Sequence, residues 1–153
     1  MDVYRVAFTG QNKIRKQSPL ITRIEDLLRE KLHGKGLVEF YCGRDSDFDF
    51  LAALAAKCGQ KKFENCDSRI VLLQPYPRKN DSDYDRLYDE FRYLAENKSN
   101  PKATATERNR WMVDHADLLV AYVKTNRKSE ALTTLEYAQK RGIPIINLAE
   151  QEQ

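Results

Sequence analysis

Short runs of consecutive apolar residues alternate along this chain with stretches in which apolar positions recur at helical spacing. Val3 to Phe8 is a short apolar run, broken only by Arg5 and stopped by Thr9-Gly10, and reads as a buried strand ending at a glycine turn. Ser18-Pro19 supplies an N-cap and a proline at the first helical position. Ile21, Ile24, Leu27, Leu28 and Leu32 then keep helical spacing until Gly34 and Gly36. Leu37 to Tyr41 reads as a second strand, ending at Gly43. Asp47 to Cys58 reads as a second helix, alanine-rich, with Phe48, Leu51, Ala52, Leu54 and Ala55 inward. Arg69 to Leu73 is a third strand, closed by Pro75 and Pro77. Asp81 or Ser82 can cap a third helix, with Tyr84, Leu87, Tyr88, Phe91 and Leu94 on one face. Residues 97–104 are polar and read as a loop before a short helix over Thr106–His115. A fourth strand spans Leu118 to Val123. A helix over Ala131 to Lys140 ends at Gly142, and Ile143 to Leu148 is the last strand.

Parallel strands are buried on both faces, so they appear as continuous apolar runs rather than alternating ones. Ile70-Val-Leu-Leu73 and Leu118-Leu-Val-Ala-Tyr122 have that character. Strands alternating with helices require right-handed crossovers and a parallel sheet. The pattern predicts an α/β fold: a Rossmann-like three-layer domain with a mostly parallel sheet of about five strands flanked by helices. The 153 residues suit one domain over 1–153, with 78–115 as a helical excursion between strands three and four. In such sheets ligands bind outside the carboxyl ends of the strands, which directs attention to the loops there.

Composition narrows the partners. Hydrophobic residues at 41% provide a core, and the formal charge of +3 is too small to argue for nucleic-acid or membrane binding. Cys42, Cys58 and Cys66 form no CxxC pair and, with only His33 and His115 to join them, suggest neither a disulfide framework nor a metal site. Free thiols point to a reducing, cytoplasmic setting. The N-terminus lacks a signal-peptide pattern, and no apolar run approaches the ~18 residues of a membrane span.

Three loops and one further segment carry candidate chemistry. After strand one, Thr9, Gly10, Gln11 and Asn12 could bring backbone amides to an anion, with Lys13, Arg15 and Lys16 following; a plain strand-to-helix turn explains the same residues. After strand two come Gly43 and Arg44, then Ser46 or Asp47 as a helix cap. Asp49 lies one turn inside the helix, where its carboxylate could accept bonds from a ribose or base. The pair Arg108 and Arg110, with Asn109 between them, could clamp a phosphate, or could form a salt-bridge face with Glu107 and Asp114. After strand four, Ser129, Thr133 and Thr134 place hydroxyls near a helix N-terminus, which favours anions; simple capping accounts for them too. No Ser-His-Asp, Cys-His or paired-histidine set is visible. Glu130 and Glu136 are the acid/base candidates near the expected cleft, with Asp49 the further carboxylate that catalysis would need.

The ordered motifs resemble a known superfamily. They are Phe8-Thr9-Gly10, Tyr41-Cys42-Gly43 with Asp47-Phe-Asp-Phe-Leu-Ala-Ala53, Arg108-Asn-Arg-Trp-Met-Val-Asp-His-Ala-Asp117, and Thr134-Leu-Glu-Tyr-Ala138 with Gly142-Ile-Pro-Ile-Ile146. Over nearly the whole chain this resembles the SLOG superfamily, in particular the small stand-alone YpsA/YspA-like proteins related to DprA and to LOG-type phosphoribohydrolases. The resemblance implies a Rossmann-like fold that binds nucleotides or other phosphorylated nucleosides. It implies Thr9, Gly10, Gly43 and Asp49 at the ligand, Arg108 and Asn109 near phosphate or sugar, and Ser129 to Thr134 as the phosphate cradle. The chain departs from the pattern at Gln11 and Asn12, where the family carries histidine and arginine. It departs again at Ser129-Glu130-Ala131, where the family has a glycine-rich turn. Only Thr133 and Glu136 match the LOG motif.

The expectation is therefore a non-catalytic or sensor-like module that binds a small nucleotide-like ligand and needs no cofactor. The alternatives are an enzyme acting on an N-glycosidic bond, LOG-like or deoxyribosyltransferase-like, and a DprA-like or protein-partner role, including a host–phage function. The aromatic face over Tyr84 to Leu94 is a candidate for homo-oligomer contact, or for packing on the sheet edge.

Overall fold

A computed structural model describes residues 2–77, 79, 86–94 and 101–151, and the side chains of all of these except 101–104 and 151. In chain order the elements are β1 (Tyr4–Gly10), α1 (Gln17–Lys31), β2 (Leu37–Cys42), α2 (Asp47–Gly59), β3 (Asp67–Gln74), β4 (Glu90–Tyr93), α3 (Pro101–His115), β5 (Leu118–Tyr122), α4 (Glu130–Arg141) and β6 (Ile145–Asn147), followed by a 3-10 turn over Leu148–Gln151. The strands form one six-stranded sheet in the order β4-β3-β2-β1-β5-β6, and every pairing is parallel.

The side-chain period of two in a strand divides the core into two layers. Val6, Phe8, Phe40, Ile70 and Leu72 face α1 and α2, where Ile24, Leu28, Leu51 and Ala52 meet them. Ala7, Tyr41, Val71, Leu73 and Leu119 face the other way, against Met112 and Val113 of α3 and Leu135 and Ala138 of α4. This is the three-layer α/β arrangement that the sequence predicts. The alanines of α2 let it sit close to the sheet, because they fill little space between helix axis and strands.

Four local expectations are corrected. The sheet has a sixth strand: Glu90–Tyr93 pairs in parallel with Val71–Gln74, where a helical face was expected. Asp89 makes that possible. Its N–H donates to Ile70 O at 2.8 Å and its Oδ2 accepts the Ile70 N–H at 2.8 Å, so the chain is fastened to the open edge of β3 just before β4 begins. An unfilled ladder outweighs helical spacing of aromatics. Tyr84 and the proposed caps Asp81 and Ser82 lie outside the described residues. Tyr88 is buried, and Phe91 and Leu94, partly buried, pack against the core.

Helix α1 starts at Gln17 rather than after Ser18. Lys16 is its N-cap without a side-chain bond, and Pro19 falls in the first turn, where a missing N–H costs nothing. Helix α3 starts at Pro101, five residues before the expected Thr106, so 101–104 are helical rather than loop. Strand β6 is shorter than expected, ending at Asn147.

Candidate functional site

The chain leaves β1 towards β2 and leaves β5 towards β6, in opposite directions. The carboxyl ends of β1 and β5 are therefore the topological switch point, where the departing loops separate and open a crevice. Thr9 and Gly10 are the last residues of β1, paired with Ala121 and Tyr122, and not a free turn.

Three polar side chains fix the crevice walls. Gln11 is buried; its N–H donates to Tyr122 O at 3.0 Å, and its Oε1 accepts the Lys124 N–H at 2.8 Å. It joins the two diverging loops. Asn147 on β6 accepts the Val123 N–H through Oδ1 and donates from Nδ2 to Val123 O, each at 2.9 Å, which holds the end of β5. Asp47 Oδ2 accepts the Ile14 N–H at 2.9 Å and ties α2 to the loop after β1.

Between these walls lies a polar cleft of about 40 Å³, lined by Thr9, Gly10, Asn12, Gly43, Asp45, Ser46, Asp49, Arg108, Asn109 and Glu130, with Phe8, Met112 and Ala131 beneath. That is room for a few waters. Arg108 reaches it from α3 and is 7% exposed. Its Nε donates to Asn109 Oδ1 at 2.8 Å, its Nη1 to Leu73 O at 3.3 Å and its Nη2 to Asp45 Oδ2 at 3.4 Å. The guanidinium is thus held by the protein on all three nitrogens. Asp49, from the first turn of α2, is 7% exposed, and its Oδ2 accepts the Asp45 N–H at 3.1 Å. Burial pushes its carboxyl from the ordinary 3.8 up to about 6, against the opposing pull of the Arg108 charge.

Both glycines line the cleft, and protein atoms fill the space their missing side chains leave. A β-carbon on Gly10 would stand 2.4 Å from Phe48 Cγ, and one on Gly43 would stand 2.7 Å from Arg108 Nη1. The start of α2 is likewise occupied. Asp47 N–H donates to Asn12 O, Phe48 N–H to Gln11 O, and Asp49 N–H to Ser46 Oγ. At the start of α4, Ser129 Oγ accepts the Leu132 N–H at 3.0 Å, and Glu130 lines the cleft.

Asn109 and Glu130 also line a second, larger space. A groove of about 660 Å³ runs between α3 and α4, lined by Ala105, Thr106, Arg110, Thr133, Thr134, Glu136, Tyr137 and Lys140 as well. Its volume lies within the range of small-molecule sites, roughly 300–1,000 Å³.

The structure therefore gathers most of the residues expected from sequence. Thr9, Gly10, Asn12, Gly43, Asp49, Arg108, Asn109 and Glu130 line the cleft, and Thr133, Thr134 and Glu136 line the adjoining groove. Gln11, Arg44 and Ser129 line neither. Gln11 bonds the two loops together, and Ser129 caps α4. The three aspartates after β2 do three separate jobs: Asp45 pairs with Arg108, Asp47 holds Ile14, and Asp49 accepts the Asp45 N–H. Sequence reading missed Asn147, which no motif marks, and Tyr88, whose hydroxyl donates to Gly43 O at 3.3 Å. It also missed Tyr137, whose helical spacing from Thr133 and Thr134 was the available signal.

No family model and no curated protein matches the chain. Two solved structures of the molybdenum cofactor carrier protein from Chlamydomonas reinhardtii are similar to it. One is 14% identical, covering 94% of this chain and 75% of that chain, with a TM-score of 0.55. The other is 13% identical, covering 97% and 77%, also at 0.55. At this identity the likeness shows a shared α/β fold. No described helix is long and apolar enough to cross a membrane.

Proposed function

We propose that the chain is a non-catalytic binding module for a small nucleotide-derived ligand, of the carrier or sensor kind, and that it belongs with the SLOG-type proteins its motifs resemble. The observation that carries this reading is that Asn109 and Glu130 line both the switch-point cleft and the α3–α4 groove, which makes the two spaces neighbours. The cleft alone is too small for a nucleoside, whereas the groove has the volume. A ligand lying in the groove can direct hydroxyl groups into the cleft, where Asp45, Asp49 and Asn109 offer acceptors. Its body then rests against Thr106, Thr133 and Tyr137. The carrier role named for the structural neighbours suits a site that holds a ligand without a set of reacting groups. The three free cysteines suit the reducing cytosol as its place of action.

A thermal-shift screen of nucleosides, nucleoside monophosphates, cyclic nucleotides and ADP-ribose tests the reading. A binder present at 100 times its Kd stabilises the fold by about 2.7 kcal/mol. No shift across the panel from a well-folded sample refutes it.

One observation favours a second reading, cleavage of an N-glycosidic bond. Asp49, with its carboxyl raised to about 6, lines the same cleft as Glu130, and such a pair can divide acid and base roles. Free base released from a bound nucleoside or nucleotide, and lost in Asp49→Asn or Glu130→Gln, identifies an enzyme. An intact ligand after prolonged incubation identifies a binder.

A further inference from the structure

Building on that ligand reading, we infer that the ligand's phosphoryl group is received by Arg110 and Lys140 at the outer end of the α3–α4 groove, and not in the switch-point cleft. The cleft is the obvious seat by topology, but its chemistry is wrong for an anion. Among the described residues that line the cleft, Asp45, Asp49 and Glu130 stand with one cation, Arg108, whose three nitrogens already donate to Leu73 O, Asn109 and Asp45. The first N–H groups of α2 are taken up by Asn12, Gln11 and Ser46. The start of α4 carries its own carboxylate at Glu130, one position after the cap. A phosphate placed there would displace protein bonds and meet negative charge.

Towards its far end the groove carries more positive than negative charge: two cations stand against the one carboxylate of Glu136, a helical turn before Lys140. Arg110 and Lys140 both line it, and neither makes an ion pair or hydrogen bond among the described residues. Arg110 is nonetheless held in place, because its guanidinium lies over the Tyr137 ring, 5.3 Å from the centroid. That ring is itself fixed: the Tyr137 hydroxyl donates to Asp114 Oδ1 at 2.8 Å, and Arg141 bridges the same oxygen at 3.1 Å. Stacking uses the face of the guanidinium and leaves its N–H edges for an anion. From Glu130 to Lys140 the helix advances roughly 15 Å at about 1.5 Å per residue, a length suited to a nucleoside with one phosphate.

The test compares the four ribonucleosides with their 5′-monophosphates by isothermal titration calorimetry, on the wild type and on the exposed double variant R110Q/K140Q. The wild type should bind a monophosphate about ten-fold or more tightly than its nucleoside, the scale of one to two charge-assisted bonds. The double variant should bind the two alike. Equal affinity in the wild type, with nucleoside binding intact, overturns this inference and spares the ligand reading. A phosphate preference that survives in R110Q/K140Q and grows in Glu130→Gln places the phosphate at the start of α4, and also overturns it. No binding of any probe overturns the ligand reading and this inference with it.

Discussion

Arg108 occupies the space that Gly43 leaves by having no side chain: a β-carbon there would stand 2.7 Å from Nη1 and 2.9 Å from Asp49 Oδ2. The tip of an arginine can often step aside. This one is buried and donates from three nitrogens, so moving it breaks bonds to Leu73 and Asp45. Gly43→Ala should lose about 1–3 kcal/mol of stability, read from urea denaturation.

Gly10→Ala should cost more. Its added carbon would meet Phe48 at Cβ and Cγ, 2.6 and 2.4 Å away, near the root of a side chain that cannot swing clear. Helix α2 would have to move, and its first turn is bonded to Gln11 O and Asn12 O. A loss of about 3 kcal/mol or more is expected in the same measurement, exceeding that of Gly43→Ala.

Asp49 makes stability depend on pH with a definite sign. Its carboxyl is at about 6 when folded and near 3.8 ordinarily, so the folded state holds the proton more tightly. Its favourable contribution is complete below pH 3.8, falls as pH rises to about 6, and is gone above that. The change is on the order of 3 kcal/mol. The stability of Asp49→Asn relative to wild type should rise by that order between pH 4 and pH 7. An unchanged difference in urea midpoints between the two pH values contradicts the assignment.

Asn147 holds the end of β5 through both atoms of its amide. Asn147→Ala should cost about 2–4 kcal/mol, because it strands the Val123 N–H and C=O in a buried place. Asn147→Asp should not rescue, since it keeps an acceptor for the N–H but offers a second oxygen to the Val123 carbonyl. Faster amide exchange at Val123 and Lys124 in both variants is the local check.

The alternation of apolar runs with helical spacing made the α/β layers legible, because each parallel strand is buried on both faces and each helix on one. The loops that line the cleft were legible for the same reason, since strand ends fix where they must lie. What could not be read was the direction in which polar groups turn. Along the chain nothing shows that the Gln11 side chain bonds Lys124, or that Gly10, which lines the cleft, also clears Phe48. Those partners are distant in sequence and carry no motif. Strand β4 was hidden because aromatics at helical spacing also suit a strand once Asp89 docks on Ile70.

The most direct test of a ligand at the switch point and along the α3–α4 groove is amide hydrogen exchange with a nucleoside monophosphate bound. Protection is predicted over residues 9–12, 43–49, 105–110 and 129–140. The opposite end of the protein holds another hollow, about 420 Å³, beside Arg29, Leu32, His33, Lys62 and Phe63. Protection confined to that hollow would contradict the account.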